Sequence, residues 1–162
     1  MATTDTTDHV WDLLKSMDVC MLVTRAAGQM RSRPMSSIPV KEDGRIYFLA
    51  DRDARVDDEI VGSSAVLLAY ANGSSTFLSV TGHGQVSDDR ALIKRLWNGG
   101  AQAFWPEGAD KASVRVLVVA PTDAELWEGP NSMVAAARMV LAVATSTKPD
   151  LGDKTNVAMG SR

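Results

Sequence analysis

The spacing of apolar residues divides this chain into short strands and a few helices. Runs of apolar and β-branched residues, bounded by glycine, asparagine and aspartate, predict strands at 19–25, 28–40, 45–50, 65–71, 76–86, 114–120 and 124–128. Apolar residues at helical spacing predict helices at 8–17, 56–61, 90–97 and 132–145. Gly82 and Gly84 flank His83 inside one strand, which predicts a bulge or a close approach of another backbone.

About six strands joined mostly by tight turns predict a mainly β protein with flanking helices. A small closed or split antiparallel barrel fits this pattern better than a parallel doubly wound sheet. The first three strands read as an antiparallel meander, and residues 121–123 are expected to turn the chain. We expect a disordered leader at 1–7, one domain at 8–148 and an irregular tail at 149–162.

Composition narrows the classes of function. The 162 residues carry a net charge of −3, so nucleic acid is not expected as the main partner, because phosphate backbones need a dominant basic face. No apolar run reaches membrane-spanning length and no signal-peptide pattern begins the chain, so cytoplasmic residence is the expectation. The single cysteine, Cys20, lies among apolar residues and reads as a buried small hydrophobe. Neither histidine has partners at metal-ligand spacing, and no metal site is predicted.

The segment 28–40 carries the first candidate chemistry. Residues two apart on a strand share a face, so Arg31 and Arg33 should point the same way and require an anion or water between them. A phosphate is a natural ligand for such forked donors. Pro34 cannot donate to a ladder, so the strand is interrupted there or lies at an edge, which leaves backbone groups for a flat polar ligand. The alternative is an ordinary solvated edge strand with surface arginines.

Two further segments are candidates. The chain enters a short helix at 51–55, where free N–H groups suit an anion and Arg52 and Arg55 could reach a phosphate, although ordinary capping by Asp51 and Asp53 explains the same residues. The aromatic side chains of residues 97–105 pack against the barrel, seal a subunit interface or wall a pocket.

These segments resemble the FMN-binding split-barrel family related to pyridoxamine 5'-phosphate oxidase, and most closely its general stress protein branch. The resemblance runs from about residue 8 to residue 152. It is carried by short motifs at 31–35, 46–53, 77–82, 96–98, 104–106, 124–127 and 149–152.

The resemblance implies a six-stranded antiparallel split β-barrel that forms a homodimer with FMN in clefts between the subunits. Arg33 to Ser36 would line the ring and the ribityl chain, the strand at 48–50 would offer backbone contacts, and 51–55 would hold the phosphate. Family members commonly carry a small hydroxyl residue and a lysine where this chain has Ala54 and Val56. The implied cofactor-binding residues are Arg31, Arg33, Pro34, Met35, Ser36, Phe48, Leu49, Ala50, Asp51 and Arg55.

Three functions follow as hypotheses. The first is a homodimeric FMN-binding protein acting as a flavin-dependent oxidoreductase, for which no catalytic acid or base is identified. The second is a stress protein that binds flavin or another flat ligand without turnover. The third, a true pyridoxamine 5'-phosphate oxidase, is disfavoured because the basic residues of the tail, Lys148, Lys154 and Arg162, are too dispersed to form one substrate clamp.

Overall fold

The computed structural model describes residues 2–73, 75–130, 132–148 and 152–160. The strands are β1 (Val19–Ala26), β2 (Gln29–Ser36), β3 (Ile38–Val40), β4 (Arg45–Asp51), β5 (Ala65–Ala71), β6 (Thr76–Ser87), β7 (Val114–Glu128) and β8 (Asp153–Ala158). The helices are α1 (Ala2–Ser16), α2 (Val56–Gly62), α3 (Arg90–Leu96), α4 (Gly99–Phe104) and α5 (Ser132–Thr145), with a 3-10 turn at Arg52–Ala54 before α2.

All eight strands belong to one antiparallel sheet. Its order is β2-β1-β5-β6-β7-β4-β3, and β8 pairs with β7 beside that path. The two strands at the ends of this order, β2 and β3, are separated along the chain by Ser37 alone, so the sheet must curl until its two edges approach each other. The fold is therefore mainly β with flanking helices and consistent with a split barrel. The described sheet has eight strands and is not closed, so a six-stranded barrel is not confirmed.

Both pairings of the predicted meander are confirmed, but its middle strand is not continuous. The first two strands do form a hairpin, with Leu22 opposite Arg33, and β3 and β4 form another. However, β4 pairs with β7 rather than with β2, because the arginine strand breaks at Ser37 and its two halves lie at opposite edges of the sheet. Pro34 sits inside β2 opposite Met21, where an edge strand tolerates the missing donor.

The expected bulge in β6 is confirmed, whereas the expected turn at 121–123 is wrong. The register between β6 and β7 shifts between Thr81 and Gly82, and β7 continues through Pro121, which lies opposite Gly82. A Cβ on Gly82 would overlap the carbonyl oxygen of Ala120, so this close approach requires glycine. Because the register shifts at this bulge, β7 continues past Pro121, the residue that was expected to end the strand.

Two expectations at the ends of the chain are also corrected. Helix α1 begins at Ala2, six residues before its predicted start, so residues 2–7 are helical. The tail contains β8, which pairs with β7 from Asp123↔Ala158 to Glu128↔Asp153. The leader and tail residues 1, 149–151 and 161–162 lie outside the described part. Helix α5 was predicted with the bounds that the structure has.

The main core lies between α1, α2 and the inner face of the sheet. Its fully buried side chains include Leu14, Leu22, Phe48, Leu68 and Val80. A smaller cluster beneath α3 contains Tyr47, Ile93 and Val116. Asp89 caps α3 by accepting hydrogen bonds from the backbone of Ala91 and Leu92.

Candidate ligand cleft

A cavity of about 550 Å³ opens where β2 runs into β3 and faces the side of α4. Its size lies in the range of small-molecule and cofactor sites. We call it the β2–α4 cleft. Its lining residues are Asp18, Pro34, Met35, Ser36, Ser37, Ile38, Leu49, Asn98, Gly100, Ala101, Phe104 and Trp105. The walls are mostly apolar, with a few polar groups at the edge.

The break at Ser37 creates the polar part of this cleft. The backbone N–H of Ser37 donates to the carbonyl of Asp18, while its buried Oγ lies beside the hydroxyl of Tyr70 in the main core. Pairing between β3 and β4 ends at Tyr47, so the backbone of β4 from Phe48 onward has no described strand on the side away from β7. An open strand edge beside an aromatic wall suits a planar ligand with polar edges.

Aromatic side chains form the opposite wall. Phe104 is 78% exposed and stands at the mouth of the cleft, 6.1 Å from the ring of Trp105. The indole N–H of Trp105 donates to Asp51, which also accepts from the hydroxyl of Ser113 at 2.9 Å. Of the three roles open for this aromatic segment, walling a pocket is one that Phe104 and Trp105 fulfil.

The carboxylate of Asp51 stabilises this wall through its hydrogen bonds. Burial opposes its ionisation, but hydrogen bonds from Ser113, the backbone of Asp53 and Trp105, with the charge of Lys111, hold its pKa below the usual range. An ionised carboxylate that already accepts these bonds is a structural support rather than a phosphate contact. Asp51 therefore caps the turn that follows it, as the alternative interpretation of segment 51–55 predicted, and it also accepts a hydrogen bond from Trp105.

Arg31 and Arg33 do share a face, and the anion between them belongs to the protein. Arg33 Nη2 forms a close ion pair with Glu59 of α2, and Arg31 Nε lies 3.8 Å from the other oxygen of that carboxylate. The hydroxyl of Thr24 also donates to Glu59. The expectation that this pair waits for a ligand phosphate is therefore corrected: α2 supplies the counter-charge.

The remaining implied residues divide into two groups. Pro34, Met35, Ser36 and Leu49 line the cleft together. Phe48 and Ala50 are buried in the main core and are not among the residues that line the cleft. Arg55 is exposed in a left-handed conformation with φ of 60° between the 3-10 turn and α2.

Sequence reasoning missed the contribution of α4 and of the turn before β1. Asn98 caps α4 by accepting from the backbone N–H of Ala101, which fixes the helix start against the cleft. Gly100 and Asp18 complete that side. The sequence left the aromatic segment after Gly100 open as a loop or a short helix, and the tertiary packing shows that it is a helix facing β2.

Comparisons with known proteins agree with this architecture. The sequence model of the family "Pyridoxamine 5'-phosphate oxidase like" matches residues 5–150. The chain belongs to this family. The resemblance drawn from the motifs is thereby confirmed, including its general stress protein neighbours. A comparison with curated proteins gives no match.

Three solved structures illustrate the relationship. A protein of Jannaschia sp. CCS1 assigned to general stress protein 26 has a TM-score of 0.74 at 22% identity, covering 96% of this chain and 99% of its own. A general stress family protein of Xanthomonas campestris pv. campestris has a TM-score of 0.70 at 26% identity, covering 80% and 90%. The general stress FMN/FAD binding protein of Xanthomonas citri has a TM-score of 0.69 at 25% identity, covering 78% and 90%.

The residues of this family member fit one part of a flavin and not the other. The β2–α4 cleft provides apolar and aromatic walls and the open edge of β4, which suit the ring. The arginine pair does not fit a phosphate, because Glu59 already lies between the two guanidinium groups. Within the described ranges, no helix is long and apolar enough to span a bilayer, and no group of three potential metal ligands occurs.

Proposed function

We propose that this protein binds a flavin, FMN by the family resemblance, with the ring in the β2–α4 cleft. The observation that carries the proposal is the open edge of β4 beside the aromatic wall of Phe104 and Trp105, in a cavity of about 550 Å³. A flavin ring offers two carbonyls and ring nitrogens along one edge, which pair with such groups, and a flat face that packs on Pro34 and Trp105. The phosphate of FMN would face the segment 51–58, in which four carboxylates outnumber the exposed Arg52 and Arg55.

We further propose that the protein works as a homodimer. The outer face of the sheet exposes large apolar side chains, with Val19 at 52%, Met21 at 40% and Phe77 at 51% exposure. Met21 and Phe77 border a shallow depression of about 300 Å³ that continues across β5 to Trp127 of β7. A contiguous apolar face is typical of a protein–protein interface, and a second copy seated on this sheet would bury it.

The chemistry of the cleft leaves two functions open. A bound flavin would supply redox chemistry, and the chain would supply binding, orientation and exclusion of water. Among the lining residues Asp18 is the one ionisable side chain, so proton transfer would have to come from it or from the substrate. A flavin-dependent oxidoreductase is our first candidate. The sparse acid–base chemistry favours a flavin-binding stress protein without turnover as the second.

A pyridoxamine 5'-phosphate oxidase is disfavoured by the arrangement of the tail. Lys154 is paired with Glu125 at 2.8 Å and lies over the ring of Trp127, so it is engaged on the sheet. A product assay for pyridoxal phosphate tests this function directly, and its formation would overturn our preference.

The first experiment is a visible spectrum of the purified protein, followed by thermal melting with and without added flavin. We expect flavin absorbance, or a higher melting temperature on flavin addition, because a ligand that binds only the folded state stabilises it. Flavin-dependent oxidation of NAD(P)H would select the oxidoreductase, and binding without oxidation would select the second function. The absence of both flavin absorbance and a melting shift would refute flavin binding.

The dimer is tested by placing a charge on the proposed interface. Phe77→Asp should yield a monomer by light scattering, whereas Val61→Asp, at an apolar position 81% exposed on α2, should leave the dimer intact. A monomeric wild-type protein, or equal disruption by both variants, would contradict the proposed interface.

A further inference from the structure

The anion held by the arginine pair is part of the fold. Glu59 is 8% exposed and accepts hydrogen bonds from Thr24 Oγ1 and Arg33 Nη2. Arg33 Nη2 also lies 3.1 Å from the hydroxyl of Thr24, and Arg31 approaches from the outside with half of its side chain exposed. Strand β1, strand β2 and helix α2 thus meet at one carboxylate.

This arrangement is closed to an incoming ligand. Nη1 of Arg33 has no hydrogen-bond partner among the described residues and is enclosed by protein atoms. A phosphate could use it only if Glu59 left its position, and that would separate a buried carboxylate from its donors, which is unfavourable. Arg31 is more accessible, but its charge is shared with the same carboxylate.

The surrounding sequence does not compensate with other positive charge. Segments 31–33 and 51–59 together hold four arginines and five carboxylates. The first turn of α2 carries Asp57, Asp58 and Glu59, and Val56 at its start is 1% exposed. A dianionic group approaching this region meets a locally balanced or acidic surface, so long-range attraction is weak.

We infer that Glu59 is a specificity-determining residue that replaces a ligand phosphate, so the site selects the flavin ring and is nearly indifferent to the terminal phosphate. The inference rests on the proposed flavin binding. Riboflavin and FMN should bind wild-type protein with affinities within about threefold of each other, because the phosphate adds little without an unpaired cation. Removing the charge of Glu59 should release the arginine pair and create a preference for FMN.

The test is a fluorescence titration of the full-length protein with riboflavin and with FMN in parallel. Glu59→Gln keeps an acceptor for Thr24 and should bind FMN roughly 10- to 100-fold more tightly than riboflavin, the range expected for a charged hydrogen bond. Asp58→Asn is the matched control: it removes one carboxylate from the same turn, at an exposed position, and should leave the ratio unchanged. Should Glu59→Gln not fold, Arg31→Gln serves instead and should lower FMN affinity less than threefold.

The outcomes separate this inference from the proposed function. A wild-type preference for FMN of a hundredfold, or a tenfold loss of FMN binding in Arg31→Gln with riboflavin binding intact, would overturn the role of Glu59 while flavin binding stands. An unchanged ratio in a folded Glu59→Gln would overturn it too. Failure of both flavins to bind would defeat the proposed function and this inference together.

Discussion

The ion pair between α2 and β2 makes a quantitative prediction for the substitution Glu59→Gln. Each hydrogen bond to a charged group stabilises a fold by about 1.5–3 kcal/mol. Burial of the carboxylate offsets part of this, and Arg33, with 24% of its side chain exposed, is partly screened by water. Because glutamine keeps one acceptor, we expect the free energy of unfolding to fall by about 2 kcal/mol, or the melting temperature by about 4–8 °C.

The pH dependence identifies the cause of that loss. Burial alone would raise the pKa of Glu59, but hydrogen bonds from Thr24 and Arg33 and the charges of Arg33 and Arg31 outweigh it and hold the pKa below its usual value. A group whose pKa is lowered by folding stabilises the protein above its unfolded pKa, and this stabilisation is lost as pH falls through the folded pKa. The difference in unfolding free energy between wild type and Glu59→Gln should therefore be fully present at pH 7 and should shrink below about pH 4.

Urea denaturation at pH 7 and at pH 3 measures the gap, with Asp58→Asn as control for a lost surface charge. We expect the control to change stability by less than about 0.5 kcal/mol. Equal stability of Glu59→Gln and wild type at pH 7 would refute the reasoning, as would a gap that persists unchanged at pH 3.

Three further predictions concern other parts of the fold. Burial raises the pKa of the Cys20 thiol to about 11, so alkylation at pH 8, followed by mass spectrometry, should be slow in the folded protein and fast in denaturant. Gly82→Ala should destabilise by about 1–3 kcal/mol in urea because its Cβ would overlap Ala120, whereas Gly84→Ala, whose Cβ would meet only side-chain atoms at 3.3 Å, should cost less. Asp89→Ala should cost about 1 kcal/mol through the lost cap of α3, and an unchanged melting temperature would contradict that role.

Local patterns identified most elements because the signals were themselves local. Each signal spans only a short segment of the chain. Examples are the apolar alternation of β1, the Asp89 cap of α3 and the alanine-rich sequence of α5. Strand β8, with the sequence DKTNVA, has little apolar alternation, and pairing with β7 decides its structure. Residues 2–7 likewise contain no apolar stripe that could signal a helix.

Contacts between distant segments were the part that the sequence could not supply. The residue types of Arg31 and Arg33 implied an anion, but nothing in the sequence indicated that Glu59, on a helix 26 residues beyond Arg33, would provide it. Similarly, Pro34 to Ser36 were identified as lining residues, whereas Asn98 and Gly100 joined them only through the packing of α4. The β2 side of the cleft was therefore predictable, and the charge balance around the arginine pair was not.

The central claim is that a flavin ring occupies the β2–α4 cleft, and filling that cleft tests it most directly. Ser36 is an exposed lining residue of β2, and Met30, on the same strand, is 66% exposed outside the cleft. In flavin fluorescence titrations, wild type and Met30→Trp should bind alike, and Ser36→Trp should lose at least about tenfold in affinity because its indole takes up the space for the ring. Equal binding by all three proteins would contradict the account.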